Sequence, residues 1–115
     1  MPGPITILLN NRNNVPGYVT HNTGIIGLRI PDIKSVRDFI RYCNKPLLVP
    51  SANKSGNKPA LTSFEVKEIF GDELGYIITG EAAGGIPSTI IDLSGEEVKI
   101  VREGPISLDD IKKVL

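Results

Sequence analysis

Tryptophan is absent from the 115-residue chain, and cysteine, histidine and methionine occur once each. A single cysteine, Cys43, excludes an internal disulfide and completes no metal motif, so it reads as a packing residue on a helix. His21, alone in a polar stretch, reads as solvated. Three tyrosines and three phenylalanines are too few for a base-stacking platform. Thirteen basic and thirteen acidic residues cancel, which removes any global attraction to nucleic acid or an anionic membrane surface. No apolar run approaches the roughly 20 residues of a membrane span, and no secretory leader precedes the first strand. A cytoplasmic location is the default expectation. What remains, 40% hydrophobic and 23% charged, reads as one small globular domain.

The chain alternates strand and helix signals. Ile5 to Leu9 reads as a strand with no earlier element to cover it, as if the sequence began inside a domain. Asn10 to Thr23 is polar and asparagine-rich, with a Pro16-Gly17 turn signal. Ile25 to Ile30 is a second strand in which Arg29 is the polar exception, either an ion-pair partner or a clamp for a ligand anion. A helix follows with Asp32 as its N-cap; Ile33, Val36, Phe39 and Ile40 recur at helical spacing, and Lys34, Arg37, Asp38 and Arg41 form the wet face. Thr62-Ser63-Phe64-Glu65 is a capping-box pattern for a helix that Gly71 ends. Tyr76 to Ile78 reads as a short strand leading to a loop with Gly80, Gly84 and Gly85. Ser88 to Leu93 and Val98 to Val101 read as an antiparallel hairpin across Ser94 to Glu97. Ser107 with Asp110 opens a last helix. The expected fold is α/β, a twisted mixed sheet with flanking helices.

The stretch richest in chemistry is Leu47 to Gly56. Its apolar run reads as a strand stopped by Pro50. If the chain stays extended, Ser51 and Asn53 share a face at that strand's carboxyl end, where α/β sheets hold ligands. A hydroxyl and a carboxamide there suit an anionic oxygen; the competing reading is a plain polar turn.

Five segments in order carry a family resemblance: Pro2-Gly3-Pro4-Ile5-Thr6, Gly27-Leu28-Arg29-Ile30-Pro31-Asp32, Pro50-Ser51-Ala52-Asn53-Lys54-Ser55-Gly56, Pro87-Ser88-Thr89-Ile90-Ile91-Asp92 and Arg102-Glu103-Gly104. Together they resemble the later part of the YrdC/YciO-like domain, whose best-known members are threonylcarbamoyl-AMP synthases. The resemblance covers essentially all of residues 1–115 as a C-terminal portion of that domain. The family's earlier Pro-Thr…Tyr-Gly-Leu segment and lysine-arginine motif have no counterpart, and Met1 stands where the family usually has Trp.

The resemblance implies a reaction of L-threonine, bicarbonate and ATP, giving threonylcarbamoyl-adenylate and pyrophosphate for a tRNA modification. It assigns Ser51, Asn53 and Arg102 to ATP and Arg29, Val49 and Ser88 to threonine. It assigns no catalytic side chain and no protein-held metal; Mg2+ accompanies the ATP. RNA and other tRNA-modification proteins are implied partners, and a membrane is not. Without the lysine-arginine motif, the chain alone is expected to be inactive. A non-catalytic nucleotide- or RNA-binding module and a carbamoyl-transfer relative of the hydrogenase-maturation type are the competing readings.

Overall fold

The computed structural model describes residues 2–82 and 85–115; Met1 and Gly84, the middle glycine of the expected loop, lie outside them. The described chain separates into two compact units, residues 1–45 with 86–115, and residues 46–85.

The first unit is built on a mixed four-stranded sheet of β1 (Ile5–Asn10), β2 (Ile25–Leu28), β3 (Thr89–Asp92) and β4 (Lys99–Arg102), in the order β2-β1-β3-β4. β1 runs antiparallel to β2 and parallel to β3, and β4 closes the hairpin antiparallel to β3. The β-branched residues of Ile5-Thr6-Ile7 and Thr89-Ile90-Ile91 suit this pleated surface.

Alternation then sorts the strands into two faces. Ile5, Ile7, Thr89 and Ile91 lie opposite one another across β1 and β3 on one face. There Ile5 and Ile91 bury against Ile111 of α4 (Leu108–Lys112), with Ile7, Leu93, Ile100 and Ile106 around them. The Ser107 hydroxyl caps α4 by accepting from the Asp110 amide at 3.2 Å, as the sequence pattern requires. Thr6, Leu8, Ile90 and Asp92 occupy the other face.

Thr89 joins the sheet to the segment entering α4. Its fully buried hydroxyl donates to the Ile106 carbonyl (2.8 Å) and accepts from the Ile106 amide (3.0 Å). At the far end of β3 the Asp92 carboxylate accepts from the Ser94 amide (2.8 Å) and the Ser94 hydroxyl, which hold its pKa below the usual value and fix the hairpin turn.

Two short helices complete this unit. α1 (Gly17–Thr20) follows Pro16 inside the asparagine-rich segment, where the sequence carries a Pro16-Gly17 turn signal. α2 (Lys34–Cys43) ends at Asn44, whose left-handed backbone, φ 52°, asparagine tolerates better than most residues. The expected Asp32 cap is not made: Ile33 is the N-cap, and the Asp32 carboxylate accepts instead from Arg37 Nη1 at 3.1 Å. Lys34 and Arg41 both reach Asp38 and lower its pKa, so the basic face pairs internally. The apolar stripe of α2 stays open, with Phe39 54% exposed.

The second unit holds α3 (Ser63–Phe70) and a 3-10 turn at Gly71–Glu73. Thr62 caps α3 through the Glu65 amide at 3.1 Å, while the Glu65 carboxylate accepts from the Leu61 amide (2.7 Å) rather than from Thr62. Neither Leu47–Val49 nor Tyr76–Ile78 is a strand, which corrects two expectations. Among the described residues the pairing in this unit is the isolated bridge Thr62–Glu81. Apolar runs this short become strands only when a ladder partner accepts them, and Leu47–Val49 is flanked by Pro46 and Pro50, which donate nothing.

Gly104 follows β4 at a point where a side chain has no room. A Cβ there would stand 2.4 Å from the Thr89 amide nitrogen and 2.8 Å from the Pro87 carbonyl oxygen. We expect Gly104→Ala to destabilise the fold by at least about 1–3 kcal/mol in urea denaturation, since backbone cannot yield as a flexible side chain does. Gly95→Ala, with no heavy atom within 4 Å, is the control and should have little effect. Equal stability of the two variants would refute the close approach.

Candidate functional site

Ser88 sits immediately before β3 with only 6% of its surface exposed. Its hydroxyl lies 2.8 Å from the Thr6 hydroxyl of β1. From β4, Arg102 Nε and Nη2 both donate to the Ser88 carbonyl oxygen, at 3.0 and 2.9 Å, and Nη2 also reaches Ser88 Oγ at 3.2 Å. Two strands therefore converge on this residue. The Nη1 donors of Arg102 make no hydrogen bond among the described residues, so the guanidinium still presents charge outward.

A bulge places Arg102 on this face. Ile91 pairs with Ile100, but Ile90 pairs with Arg102, so Val101 is an extra residue in β4. Without it Arg102 would alternate onto the α4 side of the sheet; with it the guanidinium turns to the Thr6 face.

Arg29 joins the same end from the opposite edge. Arg29 directly follows β2, one residue beyond the last pair of the β1–β2 register, Ile7 with Leu28. The chain continues beside β1, where the Gly3 amide donates to the Ile30 carbonyl at 3.0 Å. Arg29 is exposed and makes no ion pair among the described residues, so the ion-pair reading is not realised. Thr6, Ser88 and Arg102 thus share one face of the sheet, and Arg29 leaves β2 at the same end, where β1 and β3 begin and β2 and β4 finish. Two guanidinium groups with two hydroxyls between them can hold a carboxylate or phosphate together with a small polar group.

Val49, Ser51 and Asn53 belong to the second unit. Val49 is 80% exposed and lies outside any strand. The chain does not stay extended after Pro50: the Asn53 amide donates back to the Ser51 carbonyl at 3.1 Å, so the shared-face argument from strand alternation does not apply. Asn53 Nδ2 donates to the Lys54 carbonyl at 3.1 Å, while its Oδ1 is shielded and without a partner. Lys54 is committed to Glu73 (2.9 Å) and lies 4.9 Å over the Phe70 ring. The Lys54–Glu73 pair is solvent-exposed and so weak.

Sequence reasoning missed Thr6 and Gly104 as parts of the site. Thr6 carried a signal, the lone polar position in the Ile5-Thr6-Ile7 alternation. The Val101 bulge carried none.

The fold is α/β, with two arginines and two hydroxyls at one end of a mixed sheet. The Sua5/YciO/YrdC profile, described as telomere recombination, matches residues 1–104, and the chain belongs to that family. A threonylcarbamoyl-AMP synthase of Pyrococcus abyssi is 32% identical over 115 residues, covering 99% of this chain and 34% of that protein. One from Pseudoalteromonas atlantica is 36% identical over 83 residues, 72% of this chain and 44% of that protein. The crystal structure of P. abyssi Sua5 complexed with L-threonine superposes with a TM-score of 0.90 over 99% of this chain, at 32% identity and 34% of that chain. That of E. coli YciO gives 0.75 over 96% of this chain, at 25% identity and 54% of that chain. The chain thus spans about a third to a half of the length of these relatives.

The two arginines should behave differently in urea denaturation. Arg29→Ala is expected to change stability by less than about 0.5 kcal/mol, because its charge serves no internal partner. Arg102→Ala should cost about 1.5–3 kcal/mol, the range for a hydrogen bond to a charged group. The reverse order would contradict the assignments made here.

Proposed function

We propose that this chain supplies the threonine-holding part of an L-threonylcarbamoyladenylate synthase, a nucleotidyltransferase of the tRNA-modification pathway in the cytoplasm. The observation that carries the reading is the meeting of Arg29, Ser88 and Arg102 at one sheet end, in a chain of this family. The reaction joins the threonine amine to bicarbonate as a carbamate with loss of water. A carbamate oxygen then attacks the α-phosphate of ATP, and the bond to pyrophosphate breaks.

Both reactants are anions, so catalysis rests on positioning and charge neutralisation. Arg29, with its guanidinium unspent, takes the threonine carboxylate. The Ser88 hydroxyl, oriented by Thr6 and Arg102, hydrogen-bonds the amino acid, and Nη1 of Arg102 is left for a phosphate. In the second unit, the family resemblance assigns Val49 to threonine and Ser51 and Asn53 to the nucleotide. Among the described residues no three His, Cys, Asp or Glu side chains group as a metal cage. By the family resemblance, Mg2+ enters on the triphosphate, as part of the substrate.

Lys54, paired with Glu73 at the surface, Lys58 and Arg102 are few cations for a triphosphate. In the family, the earlier half of the domain carries the lysine-arginine motif, which would supply the rest. RNA, other tRNA-modification proteins and bicarbonate complete the proposed partners. A nucleotide- or RNA-binding module without turnover is the second reading, supported by the same shortage of cations.

The test is pyrophosphate release from Mg-ATP with L-threonine and bicarbonate, using this chain alone and then joined to the earlier half of the P. abyssi relative. The joined protein should be faster by about a thousandfold or more, the scale of losing a transition-state cation. Comparable rates would contradict the shortage of cations. No release by either would favour the binding-module reading.

A further inference from the structure

Arg102 is assigned to ATP by the family resemblance, but most of its hydrogen bonding is turned inward. We propose that Arg102 is also a positioning residue for the amino-acid side of the site, holding Ser88 in place so that its hydroxyl meets threonine. The inference rests on the proposed function for the identity of the ligand, and on this chain's own geometry for the contact.

Three features fix the Pro87-Ser88-Thr89 stretch. The guanidinium of Arg102 takes the Ser88 carbonyl through two nitrogens, at 3.0 and 2.9 Å, a forked grip that a lysine ammonium cannot reproduce. Behind that stretch, the Gly104 backbone stands so close that an added Cβ would lie 2.4 Å from the Thr89 amide nitrogen. On the core side, the Thr89 hydroxyl is held by both the amide and the carbonyl of Ile106. Thr89 and Gly104 fix where the backbone lies; Arg102 fixes which way the Ser88 carbonyl and hydroxyl point. The Ser88 hydroxyl is left between Thr6 Oγ1 and Arg102 Nη2, with little freedom to rotate away.

The Val101 bulge belongs to the same device. It spends one unpaired residue, 58% exposed, to bring Arg102 onto the Ser88 face. If Arg102 served only as a surface charge for phosphate, a lysine would do as well. If it positions Ser88, charge alone is not enough.

The experiment compares the full chain with Arg102→Lys and Arg102→Met by 1H-15N NMR, first without ligand, then titrated with L-threonine or with Mg2+ and a non-hydrolysable ATP analogue. Without ligand, the Arg102 Nε–H of the unaltered chain should show a slowly exchanging signal, and both variants should move the Ser88 and Thr89 amides. In titrations, Arg102→Lys should weaken threonine by about tenfold, a loss of about 1.4 kcal/mol, while nucleotide affinity stays within about twofold. Arg102→Met should weaken both ligands.

A lysine variant that keeps threonine affinity, or loses both affinities equally, overturns the proposal. So does a Ser88 amide that neither variant moves. If the unaltered chain binds no threonine, the proposed function fails, and the ligand-free spectra still decide whether Arg102 holds Ser88.

Discussion

The crossing of Gly104 over the Pro87-Ser88-Thr89 backbone is the constraint on which the first unit depends. Since nothing larger than a hydrogen fits there, the segment after β4 lies directly against the entry to β3. That contact lets Thr89 reach Ile106 and so lead the chain into α4, whose Ile111 closes the small core over Ile5 and Ile91. The same contact keeps Arg102 within reach of the Ser88 carbonyl. One close backbone approach therefore serves the core on one side of the sheet and the candidate site on the other.

The division of labour between the faces follows from strand alternation. The face carrying Ile5, Ile7 and Ile91 is dry and holds the sheet to α4. The other carries Thr6, Ser88 and Arg102 at one end, beside which Arg29 leaves β2, while the Asp92 carboxylate at the far end of β3 is hydrogen-bonded by Ser94, which favours its charged form. Among the described residues, neither Arg29 nor Arg102 pairs with a carboxylate, an arrangement that suits an anionic ligand. Of the two arginines, Arg29 makes no ion pair among the described residues, and Arg102 is partly taken up by Ser88.

Much of this was legible in the sequence. The β-branched runs at Ile5, Ile25 and Thr89, the antiparallel hairpin, and the caps at Thr62 and Ser107 were all readable, because each depends on local chemistry. What failed depended on partners. Leu47–Val49 looked like a strand but has no ladder to join. Asp32 looked like a cap but is taken by Arg37, five residues on. The face occupied by Arg102 could not be read, because an unmarked bulge reverses the alternation after Ile100. Ser88 was legible only through the family resemblance; its burial and its two hydroxyl-side partners are set by residues far along the chain.

The central claim is that one sheet end, formed by Thr6, Arg29, Ser88 and Arg102, receives the amino acid. The most direct test maps backbone amide shifts of the 15N-labelled chain during titration with L-threonine. The account predicts saturable shifts clustered at Thr6, Arg29, Ser88, Thr89 and Arg102, with Ile111 and the rest of α4 unmoved. Shifts centred on α4 or on the Asp92–Lys99 turn, or no saturable shift at all, would contradict it.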